Sequence, residues 1–179
     1  MKTTLNKIRE HLPCTSGWEK LLRSLNKTKA DDEPISIVQI IDSNGLDDAL
    51  WCLRAITGHD REIRHYMFWC ARQVQHLMTD PRSIAALDVA ERFAYGLATQ
   101  EELAAAGSAA WDAARAAAGD AGSAGSAAWA AAWAAEDVAW DAARAAEDAA
   151  WAAAGNAAGD AAMAAARAAQ EKKLRELCA

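Results

Sequence analysis

The sequence predicts an all-α protein, with a compact multi-helix domain over residues 1–98 followed by a long Ala/Trp-rich helical extension over 99–179. Three observations predict it. Apolar residues in the first 98 positions recur at helical spacing, and no two strand-like runs lie where they would pair. Capping and stop signals separate those stretches. From residue 99 the chain is dominated by alanine, the best intrinsic helix former, and an eleven-residue unit repeats through it.

Taken in order, Thr4 to Leu12 reads as a short helix stopped by Pro13. Ser16-x-x-Glu19 has capping-box form ahead of Trp18, Leu21, Leu22 and Leu25, an amphipathic helix. Residues 27–34, KTKADDEP, form a solvated loop. Pro34 then suits the first position of a helix running through ISIVQII to Asp42, because its missing N–H does no harm there. A buried strand is the rival reading of that Ile/Val-rich run, set aside because no second strand is visible to pair with it. Ser43-Asn44-Gly45 breaks the chain. Leu46, Ala49, Leu50, Leu53 and Ile56 mark the next helix, with Asp47 and Asp48 in its dipole-favoured first turn and Gly58 at its end. Asp60 is placed to cap a central helix over 60–78. Asp80 as N-cap and Pro81 at the first position start another, with Ile84, Leu87, Ala90, Phe93 and Ala94 facing inward and Gly96 closing it. Thr99-x-x-Glu102 is a second capping box, opening the tail.

The central helix, DREIRHYMFWCARQVQHLM, separates two faces. At about 100° per residue, Ile63, Tyr66, Met67, Cys70, Ala71, Val74, Leu77 and Met78 share one broad apolar arc, a core face. Arg61, His65, Trp69, Arg72 and His76 fall within a sector of roughly 80° on the other side, and His59 and Arg64 extend that column. Arginine forks can hold phosphate oxygens and a tryptophan can stack on a base or ring, so the column is the candidate site for an anionic, nucleotide-type ligand. The bland reading is a solvated face whose charges meet local carboxylates.

Charge narrows the partners. Residues 1–98 carry 13 Lys/Arg and 13 Asp/Glu, and residues 99–179 carry 6 and 12, so the net charge of −6 lies wholly in the second part. Long-range attraction to DNA or to anionic lipid is not expected from that balance. Cys14, Cys52, Cys70 and Cys178 show no CxxC spacing, which argues against zinc and for reduced thiols. The N-terminus lacks the apolar run and small-residue cleavage site of a signal peptide, and no segment offers about 18 consecutive apolar residues. A cytoplasmic protein without membrane contact is the expectation.

The tail repeats AWDAARAAAGD from 110, AWAAAWAAEDV from 128, AWDAARAAEDA from 139 and AWAAAGNAAGD from 150. On one continuous helix Trp111, Trp129, Trp133, Trp140 and Trp151 would fall within an arc of about 40°. Gly119, Gly122 and Gly125 oppose continuity at up to about 1 kcal/mol each. A hairpin turning there is the alternative. The five whole turns between Trp111 and Trp129 favour one helix, and Gly155 to Asp160 is the best place for a break. Either way the seam needs a cover, within the chain or in a homo-oligomer joined through the tail.

Catalytic motifs are weak. A His65 or His76 base near Asp60 lacks a serine or cysteine nucleophile at an interpretable spacing, and no glycine-rich phosphate loop occurs. His59, His65 and His76 lack the close pairing with a carboxylate that a metal site needs. No enzyme, cofactor or metal is therefore expected.

The runs GLDDALWCLRA, HDREIRHYMFWCARQVQHLM and SIAALDVAERFAYGLATQEELAAA, followed by an Ala-rich tail with periodic aromatics, resemble the immunity-protein family of bacteria and phages over roughly residues 45–150. The stretches CAR at 70–72 and ALDVAERFAYGLATQEEL carry most of the likeness. The resemblance implies a small helical protein that protects by binding. The expected function is non-catalytic immunity or anti-defence, of phage or prophage origin, neutralising a defence effector or sequestering its anionic nucleotide-type signal. The alternative is an immunity protein that inhibits a co-encoded bacterial toxin.

Overall fold

The computed structural model describes residues 1–117, 123–135, 142–155 and 159–178. Ten α-helices and two two-residue strands form among them, an all-α protein. None of these helices is long and apolar enough to cross a membrane. The chain groups into two compact units, Met1–His59 with Glu171–Ala179, and Asp60–Gln170.

In the first unit β1 (Lys2–Thr3) pairs antiparallel with β2 (Ile35–Ser36). Between them lie α1 (Leu5–Glu10), whose N-cap Thr4 accepts from the Lys7 N–H, and α2 (Thr15–Ser24). After them come α3 (Ile37–Asn44), α4 (Leu46–Cys52) and a 3-10 turn at Leu53–Ala55. Leu5, Ile8, Ile37, Ile40, Leu50 and Leu53 are at most 1% exposed, and Leu174 from the end of α10 (Asp160–Cys178) joins this core at 0%. Each such side chain contributes about 1.5–3 kcal/mol by leaving water. The chain ends are tied as well: the Met1 amine donates to the Cys178 carbonyl at 3.0 Å, and Arg175 meets Asp42 at 2.7 Å.

Three expectations need correction here. The cap of α2 is Cys14, whose Sγ accepts from the Gly17 N–H, and not Ser16, so the helix starts one residue before that serine. Pro34 does not open α3. Ile35 and Ser36 are taken by β2, and the Ser36–Gln39 capping box starts the helix at Ile37 and carries it to Asn44. The partner strand went unseen because it is two residues long and lies at the chain's start. The helix expected to run to Gly58 ends as α4 at Cys52, followed by the 3-10 turn.

The second unit holds α5 (Asp60–Gln73), a 3-10 turn at Gln75–Leu77, α6 (Pro81–Ala94), α7 (Gln100–Ala117), α8 (Ser123–Ala134), α9 (Ala142–Gly155) and α10 as far as Gln170. Asp80 and Pro81 open α6, Gly96 follows it at φ +72°, and Thr99 with Glu102 closes a capping box on α7, all as the local signals indicate. The expected core arc of α5 is buried from Ile63 to Val74, with Met78, while Leu77 is half-buried.

The tail is not one long helix. Separate helices α7, α8 and α9 pack in sequence, and α8 also meets α5 and α6. The boundary expected at 98/99 thus falls inside the second unit, between two helices packed on each other. The physical reason is that α8 has no polar stripe. Ala127, Ala128, Ala130, Ala131, Ala132 and Ala134 are at most 3% exposed, and a helix apolar all round is stable when neighbours cover it. Small side chains let those neighbours come close: a Cβ added at Gly107 of α7 would lie 3.3 Å from the Ala135 carbonyl oxygen. Of the expected turn glycines, Gly125 lies within α8, while Gly119 and Gly122 fall outside the described residues. The break expected at Gly155–Asp160 coincides with the end of α9 and the start of α10.

Candidate functional site

The column on α5 is divided into three environments. At its N-terminal end the Arg61 guanidinium sits over the Tyr95 ring at 5.3 Å and that of Arg64 over Phe93 at 4.9 Å. His65 stacks on Phe68 at 4.9 Å and tilts against Tyr95 at 6.3 Å. These are attractive cation–π and ring contacts, each worth on the order of 0.5–1 kcal/mol at a partly exposed site. His59 belongs to the other unit.

In the middle Arg72 is committed. Its Nη2 meets Asp88 Oδ1 at 2.6 Å and Glu91 Oε2 at 2.8 Å, and its Nη1 donates to Gln75 Oε1 at 2.7 Å. Burial works against the charge, but the hydrogen bonds from Asp88 and Glu91 outweigh it and raise the Arg72 pKa. A fork already holding two carboxylates must give them up to take phosphate. Here the local-carboxylate reading describes the geometry of Arg72.

At the C-terminal end Trp69 and His76 line a groove of about 370 Å³ with Gln73, Val74 and Leu77, facing Ala149 and Ala153 of α9 and an alanine face of α10 that ends in Gln170. The helix expected to carry both residues on to Met78 is interrupted between them. The α-helix stops at Gln73, Val74 leaves helical geometry at φ −116°, ψ 11°, and His76 sits in the following 3-10 turn. The stop follows from what lies ahead, since Asp80 before Pro81 must be extended and the chain needs room to reach it.

Sequence reasoning missed Phe68, Phe93 and Tyr95, which define the first environment, and Gln170, which is 3% exposed and closes the groove. The signal for Gln170 was a lone amide in an alanine run. Its Nε2 donates to the Ala146 carbonyl at 2.7 Å, and its Oε1 accepts from Arg167 Nη1 at 3.2 Å.

The tryptophan seam also resolves differently. Trp111 of α7 meets Trp129 and Trp133 of α8 edge-on at 4.9 and 4.6 Å, while Trp151 of α9 is 58% exposed and Trp140 lies outside the described residues. Trp133 Nε1 donates to Asp148 Oδ2 at 2.9 Å, and Arg144 lies over the same ring at 4.8 Å. Burial pushes the Asp148 carboxyl up to about 6, against the Trp133 hydrogen bond and Arg144, with Glu147 adding to the rise. Burial likewise pushes the Cys52 and Cys70 thiols up to about 12. Among the described residues no cluster of three or more His, Cys, Asp or Glu is placed to hold a metal. No protein-family model, curated protein or solved structure matches the chain.

Proposed function

We propose that the protein acts by binding and not by catalysis, as an immunity or anti-defence protein that neutralises a defence effector by sequestering its nucleotide-type signal in the groove beside α5. The observation that carries the reading is the convergence of Trp69, Gln73 and His76 on one 370 Å³ groove walled by alanine. That volume lies in the range of about 300–1,000 Å³ common to small-ligand sites, at the end that suits one ring system with a short polar arm. The Trp69 indole offers a stacking wall, the alanines exclude water without filling the space, and Gln73 and His76 give directional hydrogen bonds. Stacking on an aromatic side chain is worth about 1–3 kcal/mol per base, or roughly 5- to 150-fold in affinity.

Calorimetry of the full chain against nucleosides and nucleotides, with Trp69→Ala beside the wild type, tests the reading. Binding that weakens by that factor in the variant supports it. Equal binding by both proteins places the ligand elsewhere.

The alternative, inhibition of a co-encoded toxin, is favoured by a separate surface. Tyr95 and Leu97 are 48% and 67% exposed, and Tyr95 carries Arg61 on its ring, an apolar and cationic patch that a protein could cover. Loss of protection in Tyr95→Ala with Leu97→Ser, with ligand affinity unchanged, would move the function there. Self-association through the tail belongs to the same proposal and rests on the exposed Trp151.

A further inference from the structure

We infer that the groove holds only the uncharged base of a nucleoside, and that any phosphate on the ligand stays in solvent at the mouth and adds nothing to affinity. The inference rests on the groove being the binding site and deepens that reading by naming the part of a nucleotide that is held. Among the described residues that line the groove there is no Lys, Arg, Asp or Glu. The polar side chains are Gln73, His76 and Gln170, beside Trp69 and six alanines. A phosphate bound inside would be an anion taken out of water with no cation to pair with, and one or two neutral hydrogen bonds do not offset that loss. An uncharged ring meets no such penalty, and apolar walls favour it.

The polar groups are also sorted by depth. Gln170 is 3% exposed, and the protein holds both ends of its amide: Nε2 donates to the Ala146 carbonyl at 2.7 Å, and Oε1 accepts from Arg167 at 3.2 Å. The buried end of the groove is therefore closed by an amide that is already engaged, which suits the edge of a ring and not a charge. Gln73 and His76 are exposed, so the hydrogen-bonding side chains that meet solvent stand at the mouth. A phosphate there keeps its water, and an amide or a neutral imidazole only exchanges one hydrogen bond for another. Arg72, next to Gln73 in the chain, has its fork filled by Asp88 and Glu91. The opposite wall adds no attraction at longer range, since α9 and α10 belong to residues 99–179, with 6 Lys/Arg against 12 Asp/Glu.

The test uses the full chain and four probes, adenosine, guanosine and their 5′-monophosphates, titrated by calorimetry into wild type, Trp69→Ala and Ala166→Leu, with thermal melts confirming that each variant folds. At least one nucleoside should bind the wild type, and its monophosphate should bind within about threefold of it. That ratio should hold at about 50 mM and about 300 mM salt, because no ion pair is there for salt to screen. Trp69→Ala should weaken nucleoside and monophosphate by the same factor. Ala166→Leu, which fills the groove from the opposite wall and serves if the tryptophan variant misfolds, should abolish binding of both. A monophosphate bound more than about threefold tighter than its nucleoside, with the binding lost in these variants, overturns this inference and leaves the groove reading standing. If no probe binds the wild type, or if both folded variants bind as the wild type does, both fall.

Discussion

Replacing Asp148 by asparagine should stabilise the protein at neutral pH, and the structure gives the size of the effect. The carboxyl is held at about 6 against an ordinary 3.8, with burial as the main cause. Because the folded form keeps its proton to higher pH than the unfolded chain, the group costs nothing below about pH 4, and stability falls as pH rises from there through 6. The full rise would amount to about 3 kcal/mol, and since Asp148 is only partly buried, screening reduces this to about 1–2 kcal/mol. Asparagine removes the charge but keeps an oxygen that can accept the Trp133 Nε1 hydrogen at the 2.9 Å now spanned. Urea denaturation followed by circular dichroism, at about pH 8 and again at about pH 4.5, should show Asp148→Asn ahead by about 1–2 kcal/mol at the higher pH and by much less at the lower one. At about 2–4 °C per kcal/mol for a chain of this size, a melt would move up by several degrees. A variant less stable than wild type at pH 8, or one with the same advantage at both pH values, refutes the reasoning.

Three further outcomes follow from contacts already described. Arg72→Ala should lower stability by no more than about 1 kcal/mol, because Asp88 and Glu91 remain largely solvated, and should leave ligand affinity unchanged by calorimetry. Ser36→Ala breaks the capping box of α3 and should cost about 1 kcal/mol in urea denaturation, with Gln39→Ala adding little once the serine is gone. Trp151→Ala should shift any oligomer seen by light scattering toward monomer without lowering the melting temperature of the separated chain. An unchanged mass would remove Trp151 from self-association.

What could be read from the sequence was whatever depends on neighbours within about a turn. Asp80 with Pro81 and Thr99 with Glu102 fix helix starts by contacts two or three residues long, and the structure has them in place. The same local logic failed at Ser16-x-x-Glu19, because the Cys14 sulfur reaches the Gly17 N–H first and draws Ser16 Oγ to 3.6 Å. In the tail, alanine hides the fold. An eleven-residue repeat keeps its tryptophans in line along one helix, but it says nothing of where the helix stops, and a methyl side chain does not mark which face is covered. The candidate column is divided for a related reason. Angle arithmetic assumes an unbroken helix, yet α5 ends at Gln73, and the carboxylates that occupy Arg72 lie 16 and 19 residues further along the chain.

The groove shows the opposite limit, a site made by helices that sequence spacing could not bring together. Trp69 and His76 acquire a common purpose because Ala149 and Ala153 of α9 and the alanine face of α10 stand across from them, about 75 to 100 residues later in the chain. An alanine-rich helix suits that position for a definite reason. Leucine at Ala162 or Ala166 would fill the space with its own side chain, as a packed core demands, whereas alanine holds the helix while leaving volume unfilled. The same composition that makes α8 a closely covered centre thus makes the first half of α10 a wall with room in front of it. Ala166→Leu puts this to the test: if the volume exists to take a ligand, the added side chain should occupy it, raise or preserve stability and abolish nucleotide binding. Unaltered binding in a folded Ala166→Leu protein would show that the groove is not where the ligand goes.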